Sequence, residues 1–331
     1  MRIVVDAMGG DHAPDAPVRG AVLAAEECGY DIILVGRQDE INKVIAETGY
    51  KGDKLKVVDA SEVITMEEPA AVSVRKKRDS SIVKAFEIVK KGEADAFVSA
   101  GNTGAVVCAA TLTLRLLEGI DRPGIAVLFP ALSRSCLVLD VGANIDPKPL
   151  HLLQYGIMGD AYSRHVLGKK DPIIAMLNIG EESTKGTDFQ KEAHMLLSKS
   201  KLNFIGNLEP KEVYKGTADV VVCDGYVGNV FLKVTEGFAY AAAELIKREL
   251  KKSNFITKIG ALLTKPAFMK IKKRVDASEY GGAPLMGIDG RVIISHGASN
   301  AIAMKNAIRA AASVTDHHVN AHILEELSGK I

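Results

Sequence analysis

Residues 95–118 read DAFVSAGNTGAVVCAATLTLRLLE. Residues 95–99, apolar at Ala96, Phe97 and Val98, suit a strand buried on both faces. Gly101 and Gly104 then bracket a polar turn, and 103–118 carries a helical pattern. The unit is strand, glycine turn, helix. It recurs along the chain, so the whole sequence reads as alternating strands and helices.

The spacing predicts strands at 2–6, 31–35, 54–59, 95–99, 124–129, 135–141, 172–178, 202–206, 219–223 and 291–295. Helical patterns fill 80–91, 103–118, 150–167, 187–199, 228–250 and 298–314. This is an α/β chain: a three-layer, mostly parallel mixed sheet with helices on both faces. The run 124–141 breaks the rhythm. It has two strand patterns and no helix between them, which reads as an antiparallel hairpin at a junction of two lobes around a cleft.

Composition narrows the function classes. The chain has 331 residues, 47% apolar and 25% charged, with net charge +1 and no Trp. It has ample apolar material for a core. It lacks the global positive field and the aromatic platforms that bind nucleic acid. Cys28, Cys108, Cys136 and Cys223 have no metal or redox spacing and read as small reduced core residues. No signal-peptide pattern is seen at the N-terminus and no apolar run reaches 18 residues, so the expected location is the cytoplasm.

In open α/β sheets ligands bind beyond the carboxyl ends of the strands. Four such junctions are rich in glycine and small polar residues. The first is 6–14, with Asp6, Gly9, Gly10, Asp11 and His12. The second is 99–104, with Gly101, Asn102, Thr103 and Gly104. The third is 224–229, with Asp224, Gly228 and Asn229, and the fourth is 295–300, opening on Ser295 and His296. A glycine turn leading into a helix N-terminus presents free N–H groups and the positive end of a dipole, which is an anion cradle. The P-loop lysine spacing is absent. Two more post-strand loops supply polar groups: 140–149, with Asn144 and Asp146, and 178–186, with Lys185. Each also has a plainer reading, as a helix cap or a solvated loop. The remaining histidines have no metal-ligand spacing.

These segments together resemble a known family. DAMGGDHAP (6–14), SAGNTGA (99–105), DVGANIDPKP (140–149), NIGEESTKG (178–186), GNLEP (206–210), CDGYVGN (223–229), YGGAPLMGIDG (280–290) and SHGASN (295–300) are similar to the motifs of bacterial phosphate acyltransferases, the PlsX family. The resemblance runs over about 2–325, with the motifs in the family's order, so one domain covering 1–331 is expected. It implies a fold like isocitrate/isopropylmalate dehydrogenases and phosphotransacetylases, and a homodimer. It implies transfer of a long-chain acyl group from acyl carrier protein to inorganic phosphate. The acyl phosphate would pass to a membrane glycerol-3-phosphate acyltransferase for phospholipid synthesis. No metal or other cofactor is implied.

Phosphate is already a nucleophile and needs placement more than deprotonation. The attacked thioester develops an oxyanion that needs donors or a cation. Lys185, Asn229 and His296 are candidates for that work. Asp224 and Asp146 orient neighbours. Gly9, Gly10, Asp11, His12, Gly101, Asn102, Thr103, Gly104, Asn144, Gly228 and Ser295 are candidates for holding phosphate. No Ser or Cys lies in a nucleophile elbow, so direct displacement is expected.

Residues 251–275 form a basic amphipathic insertion. Lys258, Lys272, Lys273 and Arg274 interleave with Leu262, Leu263 and Phe268, and the segment holds no acid. Pro266 predicts two short helices or a bend. Beyond simple packing on the core, such a segment fits peripheral contact with an anionic membrane or with acidic carrier protein. Three other readings compete for the whole chain. One is a phosphotransacetylase using coenzyme A. Another is a nicotinamide-dependent decarboxylating dehydrogenase, which the missing GxGxxG disfavours. The last is a non-catalytic membrane adaptor, which would not need the polar junctions.

Overall fold

The computed structural model describes residues 1–133, 135–275 and 281–330; the side chains of 271–275 and of 330 fall outside the described set. The first half of the chain contains β1 (Arg2–Asp6), α1 (Asp15–Cys28), β2 (Asp31–Gly36), α2 (Gln38–Thr48), β3 (Leu55–Asp59), α3 (Ala70–Lys76), α4 (Ser81–Lys90), β4 (Ala96–Ser99), α5 (Thr103–Thr113), β5 (Gly124–Phe129), β6 (Cys136–Leu139) and α6 (Pro149–His165). The second half contains β7 (Ile174–Leu177), α7 (Asp188–Lys199), β8 (Phe204–Leu208), α8 (Pro210–Lys215), β9 (Val220–Val222), α9 (Gly225–Lys252), α10 (Phe255–Val275), β10 (Ala283–Met286), β11 (Val292–Ile294), α11 (Ala301–Asp316) and α12 (Val319–Lys330).

All the described strands join one sheet in the order β3-β2-β1-β4-β11-β10-β5-β6-β9-β7-β8. Side chains alternate between its faces. Ile3 and Val5 join the core beneath α1, α2, α6, α7, α11 and α12. Val4 joins the opposite core, with residues of α3, α4, α5 and α8. The expected three layers are therefore present.

The sheet is not uniformly parallel. β3, β2, β1, β4 and β11 run together. β6, β9, β7 and β8 also run together. Between the blocks, β10 is antiparallel to both β11 and β5, and β5 is antiparallel to β6. The two blocks consequently run in opposite directions, with their carboxyl ends on opposite edges. The β5–β6 pair is the hairpin expected over 124–141, and it sits where the blocks meet.

Two expectations need correction. The segment 251–275 holds the last two residues of α9 and then, from Phe255, one helix, α10, with Pro266 inside it, so the chain does not break or bend into two short helices at Pro266. Proline removes one N–H donor, here the partner of the Leu262 carbonyl. Leu262 is 68% exposed, so solvent can serve that carbonyl. β10 is a strand at Ala283–Met286 that the pattern missed, because its Pro284 and flanking glycines read as loop. Helices α1, α2, α3, α8 and α12 also fall outside the segments predicted as helical.

Candidate active site

β1 ends in Asp6, a fully buried carboxylate. Its Oδ1 accepts from the Met8 N–H at 3.1 Å, and its Oδ2 accepts from the Ser99 hydroxyl at 2.7 Å. Ser99 Oγ in turn accepts from the Gly101 N–H at 2.9 Å. Burial pushes the Asp6 carboxyl up, opposed by the Ser81 and Ser99 hydroxyls and by backbone donors. This network ties the loop after β1 to the loop after the adjacent β4. The two loops touch backbone to backbone: a Cβ on Gly9 would lie 2.6 Å from the Gly101 nitrogen. Gly10, at φ +99°, adopts a conformation that glycine tolerates. The Asp11 N–H then donates to the Gly297 carbonyl at 2.8 Å, which brings in the loop after β11. In that loop Ser295 and Ser299 share a hydrogen bond of 2.8 Å.

Three of the four predicted junctions thus form one cradle. Two helices begin in it. Asn102 caps α5 by accepting from Ala105 N–H at 3.0 Å, and Asn300 caps α11 by accepting from Ala303 N–H at 2.9 Å. Thr103 and Gly104 are exposed in the first turn of α5. Asp11, His12 and His296 line the rim and are exposed. Asn102 is not a free ligand. Its carboxamide nitrogen donates to the carbonyls of Thr65, Met66 and Glu68 at 3.0, 3.2 and 3.2 Å. It straps residues 65–68 over the cradle's edge. Glu68 is fixed by Lys77 Nζ at 2.5 Å and by the Ser73 hydroxyl, and these hold its carboxyl down to about 2.

The other candidates lie on the opposite block. Asp140, buried after β6, accepts from the N–H groups of Ile125, Gly142, Ala143 and Asn144 at 2.7–3.1 Å. Burial raises its carboxyl, and those backbone donors oppose the rise. Asn144 donates to the Pro123 carbonyl and the Tyr155 hydroxyl, so its side chain organises the loop. Asp224 caps α9 by accepting from Val227 N–H at 2.8 Å. Gly228 packs against the Asp140 carbonyl, and Asn229 lies against Gly142. Asp146 is exposed. Lys185 is exposed in the loop after β7; its carbonyl accepts from Asn178 Nδ2 at 3.3 Å, and no described contact ties it to the cradle.

Helix α9 links the two edges. Asn229 and Lys233 are one turn apart on one face. Asn229 faces Gly142, while Lys233 Nζ lies 3.4 Å from His296 Nε2 and 2.9 Å from Glu236. His296 Nδ1 accepts from Ala298 N–H at 3.1 Å. In the neutral ring the proton then sits on Nε2, facing the ammonium. Two donors confront each other 3.4 Å apart, and an anionic oxygen seated beside the pair could accept from both.

Sequence reasoning named Asp6 only as a charge of the first junction and left Ser99, Asp140 and Lys233 out of the candidate set. Asp6, Ser99 and Asp140 lie inside the quoted motifs, where burial rather than residue type marks them. Lys233 carries one signal only, its four-residue spacing from Asn229. Among the described residues no cluster of three or more His, Cys, Asp or Glu side chains is arranged to hold a metal ion. Nor is any described helix long and apolar enough to cross a membrane. On α10, Leu262, Leu263 and Phe268 are 68%, 76% and 46% exposed, and Lys258 is exposed beside them. Lys272, Lys273 and Arg274 lie among the side chains outside the described set.

The fold itself defines a class. A phosphotransacetylase from Streptococcus pyogenes superposes with a TM-score of 0.63 at 19% identity, over 96% of this chain and 94% of that one, so the architecture is phosphotransacetylase-like. Sequence carries the assignment further. The profile of the family described as "Fatty acid synthesis protein" matches residues 1–322. The phosphate acyltransferase of Geotalea uraniireducens (strain Rf4) is 51% identical over 327 residues, 99% of this chain and 94% of that protein. That of Heliobacterium modesticaldum (strain ATCC 51547 / Ice1) is 49% identical over 332 residues, 100% of this chain and 99% of that protein. The chain belongs to this phosphate acyltransferase family, and it is an acyltransferase enzyme.

Proposed function

We propose that this enzyme transfers a long-chain fatty acyl group from acyl carrier protein to inorganic phosphate, forming acyl phosphate for phospholipid synthesis. The observation that carries the reading is the facing pair Lys233 and His296 beside the α5 and α11 N-termini. It concentrates cationic and N–H donors on one side of the cradle, the arrangement that favours a small anion.

Phosphate held there attacks the thioester carbonyl carbon through one oxygen. The C–S bond breaks as the tetrahedral intermediate collapses, and the carrier thiolate leaves and takes a proton from solvent. Asn229 and Lys185 are assigned to the developing oxyanion, with Lys233 and His296 on the phosphate. Asp224 acts through α9, which it caps, and Asp146 orients the loop that carries it. No acyl-enzyme is required. Consistent with that, burial pushes the Cys223 thiol well up, which suppresses the reactive thiolate.

The enzyme works in the cytoplasm as a homodimer. It contacts an anionic membrane peripherally through Leu262, Leu263, Phe268 and the basic residues of α10, and hands its product to a membrane glycerol-3-phosphate acyltransferase. The test is acyl phosphate formation from palmitoyl–acyl carrier protein and phosphate, with palmitoyl-CoA and acetyl-CoA in parallel. Product from the carrier thioester is expected. Product from acetyl-CoA alone would replace this reading with short-chain phosphotransacetylase activity.

A further inference from the structure

Away from the cradle, α3, α4 and α5 enclose a groove of about 620 Å³. Arg75, Arg78, Lys90 and Lys91 all line it. Val83 contributes an apolar floor, and Glu87 is the one acid in the lining. All four cations are exposed, and none has an ion pair among the described residues. Their neighbours behave differently: Lys77 pairs with Glu68, and Lys84 pairs with Asp79. Cations in a helix's last turn complement its dipole, which explains Arg75 on α3 and Lys90 on α4 singly. It does not require that both helices aim their charges into one groove, or that Arg78 and Lys91, beyond the helix ends, join them.

We propose that this groove docks the acidic carrier protein that delivers the acyl group, an inference that rests on the function proposed above. Charge complementarity selects the occupant: four unpaired cations around a small apolar floor suit an acidic helical protein. The groove also lies within reach of the chemistry. Ala70, which opens α3, sits against Gly104 of the cradle, 3.0 Å from where a Cβ would be. Arg75 follows five residues later, about 8 Å along that helix. α5 starts in the cradle at Thr103 and ends beside the groove at Thr113, about 15 Å away. A carrier seated on the groove can extend its flexible prosthetic arm along α5 and present the thioester at the cradle. The α9–α10 arm then remains free for the membrane, so the carrier and membrane roles, the alternative readings of the basic segment 251–275, fall to separate surfaces.

The test uses the full-length enzyme and two variants. One is Arg75→Glu/Arg78→Glu/Lys90→Glu/Lys91→Glu. The milder one is Arg78→Gln/Lys91→Gln, whose positions lie outside the helices, so it keeps the test valid if the first variant misfolds. Donors are palmitoyl–acyl carrier protein and palmitoyl-pantetheine, which has the same thioester without the protein. The reversal should raise KM for the carrier thioester about tenfold or more, flatten its salt dependence, and leave kcat within about twofold. The milder variant should raise KM about threefold. Turnover of palmitoyl-pantetheine should not change. An unchanged KM for the carrier would overturn the groove while leaving the proposed reaction intact. So would equal losses with both donors, or lost binding to anionic vesicles with carrier KM unchanged. A parent enzyme that uses palmitoyl-pantetheine and ignores the carrier would instead remove the donor assignment on which the groove rests.

Discussion

Lys233 Nζ lies 3.4 Å from His296 Nε2, although the two residues are 63 positions apart and belong to helix α9 and to the loop after β11. The contact joins the two oppositely directed halves of the sheet at the proposed anion site. Replacing Lys233 with Met should lower kcat/KM for phosphate about 100-fold, or about 2.7 kcal/mol of transition-state stabilisation. Lys233→Arg should recover part of it. Thermal melting should change little, because Lys233 is exposed. Full activity in the Met variant would remove Lys233 from the site.

Asn102 both caps α5 and ties down residues 65–68. Asn102→Ala should destabilise the protein by about 1–2 kcal/mol through the lost cap alone. It should also speed amide exchange across 65–69 and raise KM for phosphate. Exchange that stays at the parent rate in this segment would show that the strap is held by other contacts, such as the Lys77–Glu68 pair.

Asp6 gives a pH signature. Burial raises its carboxyl above the ordinary value of 3.8, so the folded chain keeps the proton at pH values where the unfolded chain has lost it. The stability it contributes is full below the unfolded value and is lost as pH rises through the folded one. Asp6→Asn keeps an acceptor for Met8 and a donor toward Ser99 without a charge to desolvate. The variant should melt about 2 °C or more above the parent at pH 7, with the gap closing toward pH 4. A lower melting point at pH 7 would mean that the ionised carboxylate, held by its neighbouring donors, is the stabilising form.

The exposed apolar residues of α10 predict membrane contact. Leu262→Ser/Leu263→Ser/Phe268→Ser should abolish flotation with anionic vesicles and leave turnover of a soluble thioester donor unchanged. Flotation equal to the parent's would sink the peripheral membrane assignment.

The strand–helix alternation was legible because buried strands advertise themselves: Val220, Val221 and Val222 are all fully buried, and so are Ile3, Val4 and Val5. The cradle was legible for a related reason. Glycines at 9, 10 and 101 mark places where backbones must touch. What the pattern could not carry was direction. Whether β6 runs with β1 or against it depends on β10, a four-residue strand containing Pro284, and nothing local to Asp140 records that reversal. The four junctions therefore read as one edge, while the structure sets the loops around Asn144, Asp224 and Asn229 on the other. Lys233 was illegible as well. A lysine on an amphipathic helix looks like any solvated one until the fold delivers His296 to it.

Helix α9 is a rod of 28 residues, about 42 Å long, with its early turns in the site and its far end leading to α10. Gly228 leaves no space between it and the Asp140 carbonyl, so that contact acts as a fulcrum. Lys233 stands about 7 Å beyond the fulcrum and Lys252 about 36 Å beyond it. Leverage of that ratio turns a sweep of about 5 Å at the far tip into about 1 Å at Lys233, a displacement on the scale that alters rates about 100-fold. Whatever seats the tip of this rod therefore also sets the aim of its ammonium group.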